Sequence, residues 1–270
     1  MTAPHRSTSA HERKNRAFWD ADADAYQAAH AAQLRGRRSW GVWAIPDEHL
    51  GALGDVRGLD VLELGCGGGQ WAIALAPDAN SIVGLDQSRG QLRHALANVA
   101  TSSVRLPLVC ASGEAIPVRD MSFDLVFCDH GALSFCDPDR IVPECARVLR
   151  PGGRLVFNHA TLLHCLCYDP ATDRQDDRLL APYHGANVFD WSEGTFDFHR
   201  TYGGWIRVFR EHGLAVDDLI ELVPPPDATT TYTDFVPAHW AARWPAEEIW
   251  VTRKVEAVGR DGDSGNSPRR

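Results

Sequence analysis

The sequence predicts an α/β fold, a seven-stranded, mostly parallel sheet with helices on both faces. Short apolar runs alternate with longer amphipathic ones, Gly and Pro punctuate the junctions, and 270 residues suit one such domain. A helix is expected over 18–32, with Phe18, Trp19, Ala25, Tyr26 and Ala29 near one face. The apolar run 59–64 ends in glycines and reads as a strand; 71–76 opens a helix that Pro77 stops. Strand 81–85, helix 88–99, strand 104–110, strand 123–128 and helix 141–149 follow, and Pro151-Gly152-Gly153 separates that helix from strand 154–158. Residues 160–199 break the rhythm, being polar, aromatic and rich in Asp. The sequence then resumes with a helix over 201–212, ended by Gly213, and strands over 214–223 and 249–255. The expected organisation is a single domain over 17–258, flexible tails at 1–16 and 259–270, and a substrate lid over 161–200, since a long irregular insert commonly covers a binding cleft.

Composition narrows the function. A formal charge of −9 argues against nucleic-acid partners, and the basic clusters 13–16 and 35–38 are short enough to be solvated faces. The absence of a long apolar run argues against a membrane partner, and the polar N-terminus lacks a signal-peptide core. Seven cysteines form an odd set, several of them inside apolar runs, which points to free thiols and a cytoplasmic location. Cys165-x-Cys167 beside His164 lacks a second spaced pair of ligands, so no metal is expected. Oligomeric state, monomer or dimer, is left open.

Val61-Leu62-Glu63-Leu64-Gly65-Cys66-Gly67-Gly68-Gly69-Gln70 is the most informative stretch. A strand running through glycines into a helix leaves bare backbone and free N–H groups for a ligand. The dinucleotide spacing G-x-G-x-x-G fails, because Gln70 occupies its last position. Glu63 can instead face the ammonium of an amino-acid moiety. Asp86, 21 residues after Gly65, stands at the end of the next strand, where a carboxylate can accept both hydroxyls of a ribose.

This stretch resembles motif I of the class I S-adenosylmethionine-dependent methyltransferases, in particular the small-molecule group that includes the ubiquinone and menaquinone biosynthesis enzymes. Ile82-Val83-Gly84-Leu85-Asp86 is similar to the family's ribose-binding strand, and Ala111-Ser112-Gly113-Glu114-Ala115-Ile116-Pro117 to its adenine-side motif. Ser122-Phe123-Asp124-Leu125-Val126 and Arg147-Val148-Leu149-Arg150-Pro151-Gly152-Gly153 resemble its fourth strand and the turn before its fifth. The resemblance implies a Rossmann-like fold, S-adenosyl-L-methionine as cofactor, and cofactor contacts at Glu63, Gly65, Cys66, Gly67, Gly69, Asp86, Gln87, Ser112, Gly113, Glu114 and Asp129. Ser112 departs from the family's frequent aspartate. The helix carrying Trp19 and Tyr26 resembles the N-terminal cover over the cofactor.

A sulfonium methyl needs positioning more than covalent help, and a base only where the acceptor is protonated. Ligand sites in such sheets lie beyond the carboxyl ends of the strands, where His130 and His159 stand after strands four and five; either is a candidate base. His164 and His199 are weaker candidates. Trp191, Phe189, Phe196, Phe198, Trp205, Tyr232, Phe235 and Trp240 are candidates for contact with a flat or apolar small molecule. The leading expectation is O-methylation of a small metabolite in secondary metabolism. The alternatives are C-, N- or S-methylation, a nicotinamide-dependent oxidoreductase, and a binding protein that keeps only the pocket.

Overall fold

The computed structural model describes residues 8–35, 38–191 and 194–256. The principal elements are α1 (Ala10–Leu34), β1 (Asp60–Leu64), α2 (Gln70–Leu75), β2 (Ser81–Asp86), α3 (Arg89–Thr101), β3 (Leu108–Cys110), β4 (Phe123–Asp129), α4 (Pro138–Val148), β5 (Leu149–Ala160), α5 (Tyr202–Glu211), β6 (Leu214–Glu221) and β7 (Glu247–Lys254). The seven strands form one sheet in the order β6-β7-β5-β4-β1-β2-β3. The pairs β5/β4, β4/β1, β1/β2 and β2/β3 are parallel, whereas β7 runs antiparallel to both β5 and β6. The order reverses direction between β1 and β4, which opens a crevice at their carboxyl ends.

The sheet separates two apolar layers. One gathers Trp40, Val61, Trp71, Leu125, Phe127, Val156 and Trp240; the other gathers Leu62, Leu64, Val126, Phe157, Trp205, Phe209 and Trp250. Neighbouring residues of one strand join opposite layers, as Val61 and Leu62 do, because side chains alternate across a strand.

Several expectations shift. Strand three is shortened to Leu108–Cys110, since the amide-less Pro107 precedes it. The fifth strand is extended to Leu149–Ala160, with its pairing to β4 broken between Leu149 and Arg154 at the Gly152 turn. The expected N-terminal tail is shorter than 1–16: α1 begins at Ala10, capped by a reciprocal box in which Ser9 and Glu12 bond each other's backbone amides. Residues 1–7 and the expected tail over 259–270 lie outside the described residues.

The buried face of α1 is Glu12, Asn15, Ala23 and Gln27, not the apolar set around Ala25 and Ala29, both of which are exposed. A helix seated over a polar cleft buries polar side chains, so hydrophobic periodicity reads its phase wrongly. Asp20 fastens it to α3 by accepting from the Ser88 hydroxyl (2.9 Å) and the Gly90 amide (3.1 Å). A Cβ on Gly90 would stand 2.8 Å from that of Ala23, so glycine permits the close crossing. The insert carries two short hairpins, Tyr168–Asp169 with Arg174–Gln175 and Val188–Asp190 with Phe196–Phe198. Asn15 grips the second by bonding both the amide and the carbonyl of Phe196. Among the described residues, no helix is long and apolar enough to cross a membrane.

Candidate active site

A cavity of about 330 Å³ opens beyond the carboxyl ends of β1, β2, β4 and β5, within the range of small-molecule sites. Of the residues expected to contact cofactor, Trp19, Tyr26, Glu63, Gly65, Cys66, Gly67, Asp86, Gln87, Gly113 and Asp129 line it. Gly69, Ser112 and Glu114 do not. Gly69 caps α2 in a left-handed conformation, with Leu106 and Ala95 within 3.5 Å of where a Cβ would sit. The Ser112 hydroxyl accepts from the Glu114 amide within its own turn (3.2 Å). Glu114 is buried and takes His11 Nε2 (2.5 Å), the Asp137 amide (2.9 Å) and Arg140 Nε (3.1 Å), which anchors the start of α1. These two side chains build the wall rather than face the cleft.

The glycines of the turn divide their labour. A Cβ on Gly65 (φ +66°) would lie 2.5 Å from the Ala132 amide nitrogen and 2.7 Å from Gly131 Cα. The bareness of Gly65 therefore serves the passage of a second backbone. Gly67 (φ +49°) is the open position, its nearest neighbour being Gln91 Oε1 at 3.7 Å from an added Cβ. Gly65→Ala is expected to cost more than about 2 kcal/mol, because positive φ and a backbone clash act together. A urea melt checks it, and an unchanged midpoint would mean that the two backbones do not cross there.

Buried carboxylates surround the cavity. Glu63 Oε2 accepts from the Ala72 amide in the first turn of α2 (2.9 Å), and its other oxygen has no hydrogen-bond partner among the described residues. Burial pushes its pKa well above the usual value, and Asp129 and Asp86 add to the effect. Asp86 accepts from the Gly67 amide (2.9 Å) and the Ser88 amide (2.8 Å). Burial brings its carboxyl up to about 6, against the pull of those donors. Asp129 takes the Gly41 amide, Asn158 Nδ2 (2.8 Å) and Trp71 Nε1 (3.3 Å). Among the described residues, no lysine or arginine lines the cavity. Such a cleft favours a cationic ligand and repels a diphosphate, which disposes of the dinucleotide alternative on electrostatic grounds. A molecule with an ammonium and a sulfonium fits it.

His130 sits on the rim in a left-handed conformation (φ +56°). Its Nε2 meets Glu247 Oε1 at 2.5 Å. Glu247 is 1% exposed, and the same oxygen also takes the Val42 amide (2.9 Å) and Asn158 Nδ2 (3.2 Å). Burial alone would lower the His130 pKa, but the bond and charge of Glu247, with Asp129, outweigh it and raise it above 6.5. Sequence reasoning missed Glu247, because an acid opening a strand reads as a solvated charge. It is the first residue of antiparallel β7, and so lands at the carboxyl end of its neighbour β5, opposite Ala160. A Cβ on Gly41 would meet the Glu247 carboxylate at 2.3 Å, so the Ser39–Trp40/Ile45–Pro46 hairpin must turn through glycine to admit it.

The expectation for His159 is not met. Adjacent strand residues face opposite sides: Asn158 turns to Asp129 and Glu247, while His159 turns away to Phe157, Trp205 and Glu248 (3.2 Å). It is 1% exposed, lines no part of the cavity, and burial lowers its pKa. His159→Ala is expected to cost about 2 kcal/mol or more of stability while turnover per folded molecule stays unchanged. Thermal melts with active-site titration check both; a large loss of turnover in fully folded protein would restore it as a base.

Of the expected aromatic contacts only Tyr232 and Phe235 line the cavity. Trp205 and Trp240 are core residues on opposite faces of the sheet. Phe198 packs on His11, Phe189 stacks with Trp191, and Phe196 lies under Lys14. The Tyr26 and Tyr232 hydroxyls bond each other at 2.7 Å, tying α1 to the segment before β7 over the cleft. Gln27, paired with both Gln91 and Gln70 (2.9 Å each), completes the cover; this polar relay had no sequence signal.

The seven-stranded, mostly parallel sheet is the Rossmann-like fold found in S-adenosylmethionine-dependent methyltransferases. Residues 62–157 match a family described as methyltransferase domain. A malonyl-[acyl-carrier protein] O-methyltransferase of Methylococcus capsulatus is 39% identical over 102 residues, covering 36% of each chain. A demethylmenaquinone methyltransferase of Lactococcus lactis is 32% identical over 117 residues, covering 41% of this chain and 46% of that protein. The match therefore spans less than half the length of these curated relatives. An S-adenosylmethionine dependent methyltransferase from Mesorhizobium loti superposes with a TM-score of 0.60 at 25% identity, covering 76% of this chain and 94% of that one.

Proposed function

We propose that the chain transfers the methyl group of S-adenosylmethionine to a hydroxyl of a small aromatic or apolar metabolite, as an O-methyltransferase of secondary metabolism. The His130–Glu247 pair on the cleft rim supports this reading, because a hydroxyl protonated at neutral pH needs a base. Glu63 would take the cofactor's ammonium on its unpartnered oxygen. Asp86 would accept the ribose hydroxyls on lone pairs left by the Gly67 and Ser88 amides. Gln87, Ala111 and Gly113 would flank the adenine, and Trp19, Tyr26 and Gln27 would close over it.

When bound, the cofactor supplies a methyl already activated by a positive sulfur. The chain's task is then to hold the acceptor oxygen in line and remove its proton. With Nε2–H donating to Glu247, Nδ1 of His130 is the basic nitrogen, and the buried carboxylate stabilises the imidazolium that forms. Tyr232 and Phe235 offer ring surface to an aromatic acceptor, and Phe235 also packs edge-on against the His130 ring (5.5 Å). The test is a methyl-transfer screen over phenols, alcohols, thiols, amines and activated carbon acids with mass detection. Turnover of phenols or alcohols is expected; transfer confined to nitrogen, sulfur or carbon would overturn the assignment to oxygen.

A further inference from the structure

We infer that Cys165, Asp197 and His199 form a binding site for a borderline-soft divalent cation such as Zn2+, on the wall of the cleft. Cys165 lies in the helix Leu162–Cys167, directly after β5, while Asp197 and His199 come from the end of the hairpin strand Phe196–Phe198. Sγ of Cys165 is 3.2 Å from Nε2 of His199, and Oδ2 of Asp197 is 3.3 Å from the same nitrogen. All three donor atoms lie within 4.8 Å of one another.

That convergence is the informative feature. A thiol–imidazole–carboxylate relay places its thiol and its acid on different ring nitrogens. Here both approach Nε2, and Nδ1 of His199 is buried with no hydrogen-bond partner among the described residues. A single N–H at Nε2 can be donated fully to only one of two acceptors. A cation among the three would satisfy thiolate, carboxylate and imidazole lone pair at once. Tetrahedral Zn2+ with bonds of about 2.0–2.3 Å has ligand–ligand edges of roughly 3.3–3.6 Å, close to the two separations observed. Softness agrees too, since a Cys/His/Asp set suits Zn2+ and not Mg2+ or Ca2+.

Burial supports the site. Cys165 is 4% exposed and His199 is fully buried. Oδ1 of Asp197 is also buried without a partner among the described residues. Three protein ligands leave a fourth position, as in zinc sites that act on bound molecules, and Asp197 is a cleft-lining residue. The open position therefore borders the cleft, where an oxygen or sulfur of the acceptor could coordinate. Cys167 takes no part in the site and packs in the apolar layer with Trp240 and Leu222.

The test uses the full chain, stripped with a chelator and titrated with Co2+ and Zn2+. One equivalent of Co2+ is expected to give tetrahedral d–d bands and a thiolate-to-cobalt charge-transfer band. Cys165→Ser should abolish that band, and Asp197→Asn should weaken Zn2+ binding at least about tenfold, the loss that even an outer-shell change produces. Cys167→Ser and Cys110→Ser should retain the band. Circular dichroism verifies folding, and Asp197→Asn, being partly exposed, guards against a misfolded Cys165 variant. Absence of stoichiometric binding, or a band untouched by Cys165→Ser, would overturn the inference. Calorimetry with S-adenosylmethionine runs alongside: intact cofactor affinity without metal binding sinks this site alone, whereas lost cofactor affinity in the wild-type chain sinks the functional reading.

Discussion

Asp86→Ala is expected to weaken S-adenosylmethionine binding about 100-fold. Two charge-assisted hydrogen bonds to the ribose would be lost, each worth about 1.5–3 kcal/mol, and about 2.7 kcal/mol corresponds to that factor. The Gly67 and Ser88 amides would lose their acceptor as well, loosening the turn that faces the ligand. The carboxyl titrates at about 6 in the folded protein, and protonation removes acceptor capacity. Wild-type affinity should therefore fall as pH drops through that value, and Asp86→Ala should flatten the dependence. Calorimetry across pH measures both; affinity within about threefold of wild type in folded Asp86→Ala would remove the ribose from this position.

His130→Ala should lower turnover by about 10²- to 10⁴-fold, the usual contribution of a positioned base, with cofactor affinity preserved. The sign of the pH effect follows from the pair. A base must be neutral, and the His130 pKa is held above 6.5 by Glu247 and Asp129 despite burial. The rate should therefore rise with pH through a midpoint above 6.5, not below it. Glu247→Gln removes a negative charge, so the rising limb should move to lower pH while the plateau falls. That displacement separates a positioning role from a merely structural one, which would lower the amount of folded protein without moving the midpoint. A pH–rate profile of kcat/KM on an accepted phenol or alcohol decides, and a limb that stays in place in Glu247→Gln would break the pairing.

The stretch 61–70 was legible because its chemistry is local. Strand, glycines, flanking acid and following helix are contiguous, and the acid of the next strand end is a fixed topological step away. Even so, only part of the turn plays the role bareness suggested. Both Gly65 and Gly67 line the cavity, but the bareness of Gly65 makes room for Gly131, a residue of the loop after β4 that no local pattern connects to it. His159 lies away from the cavity for a reason the sequence did contain. Asn158 and His159 are consecutive in one strand, so only one of them can face the cleft.

By itself the sequence determined the α/β class, the strand order's raw material, the glycine turn and the placing of Glu63 and Asp86 beside it, because these follow from periodicities and spacings within a few dozen residues. Tertiary structure alone decided that Glu247, 117 residues from His130, is its partner, and that α1 covers the cleft with a polar face. It also decided that Cys165 meets His199 across the insert instead of Cys167 beside it. Antiparallel entry of β7, burial and the crossing of distant backbones set these contacts. They depend on where chain segments end up in space, and no local period in the residues records that.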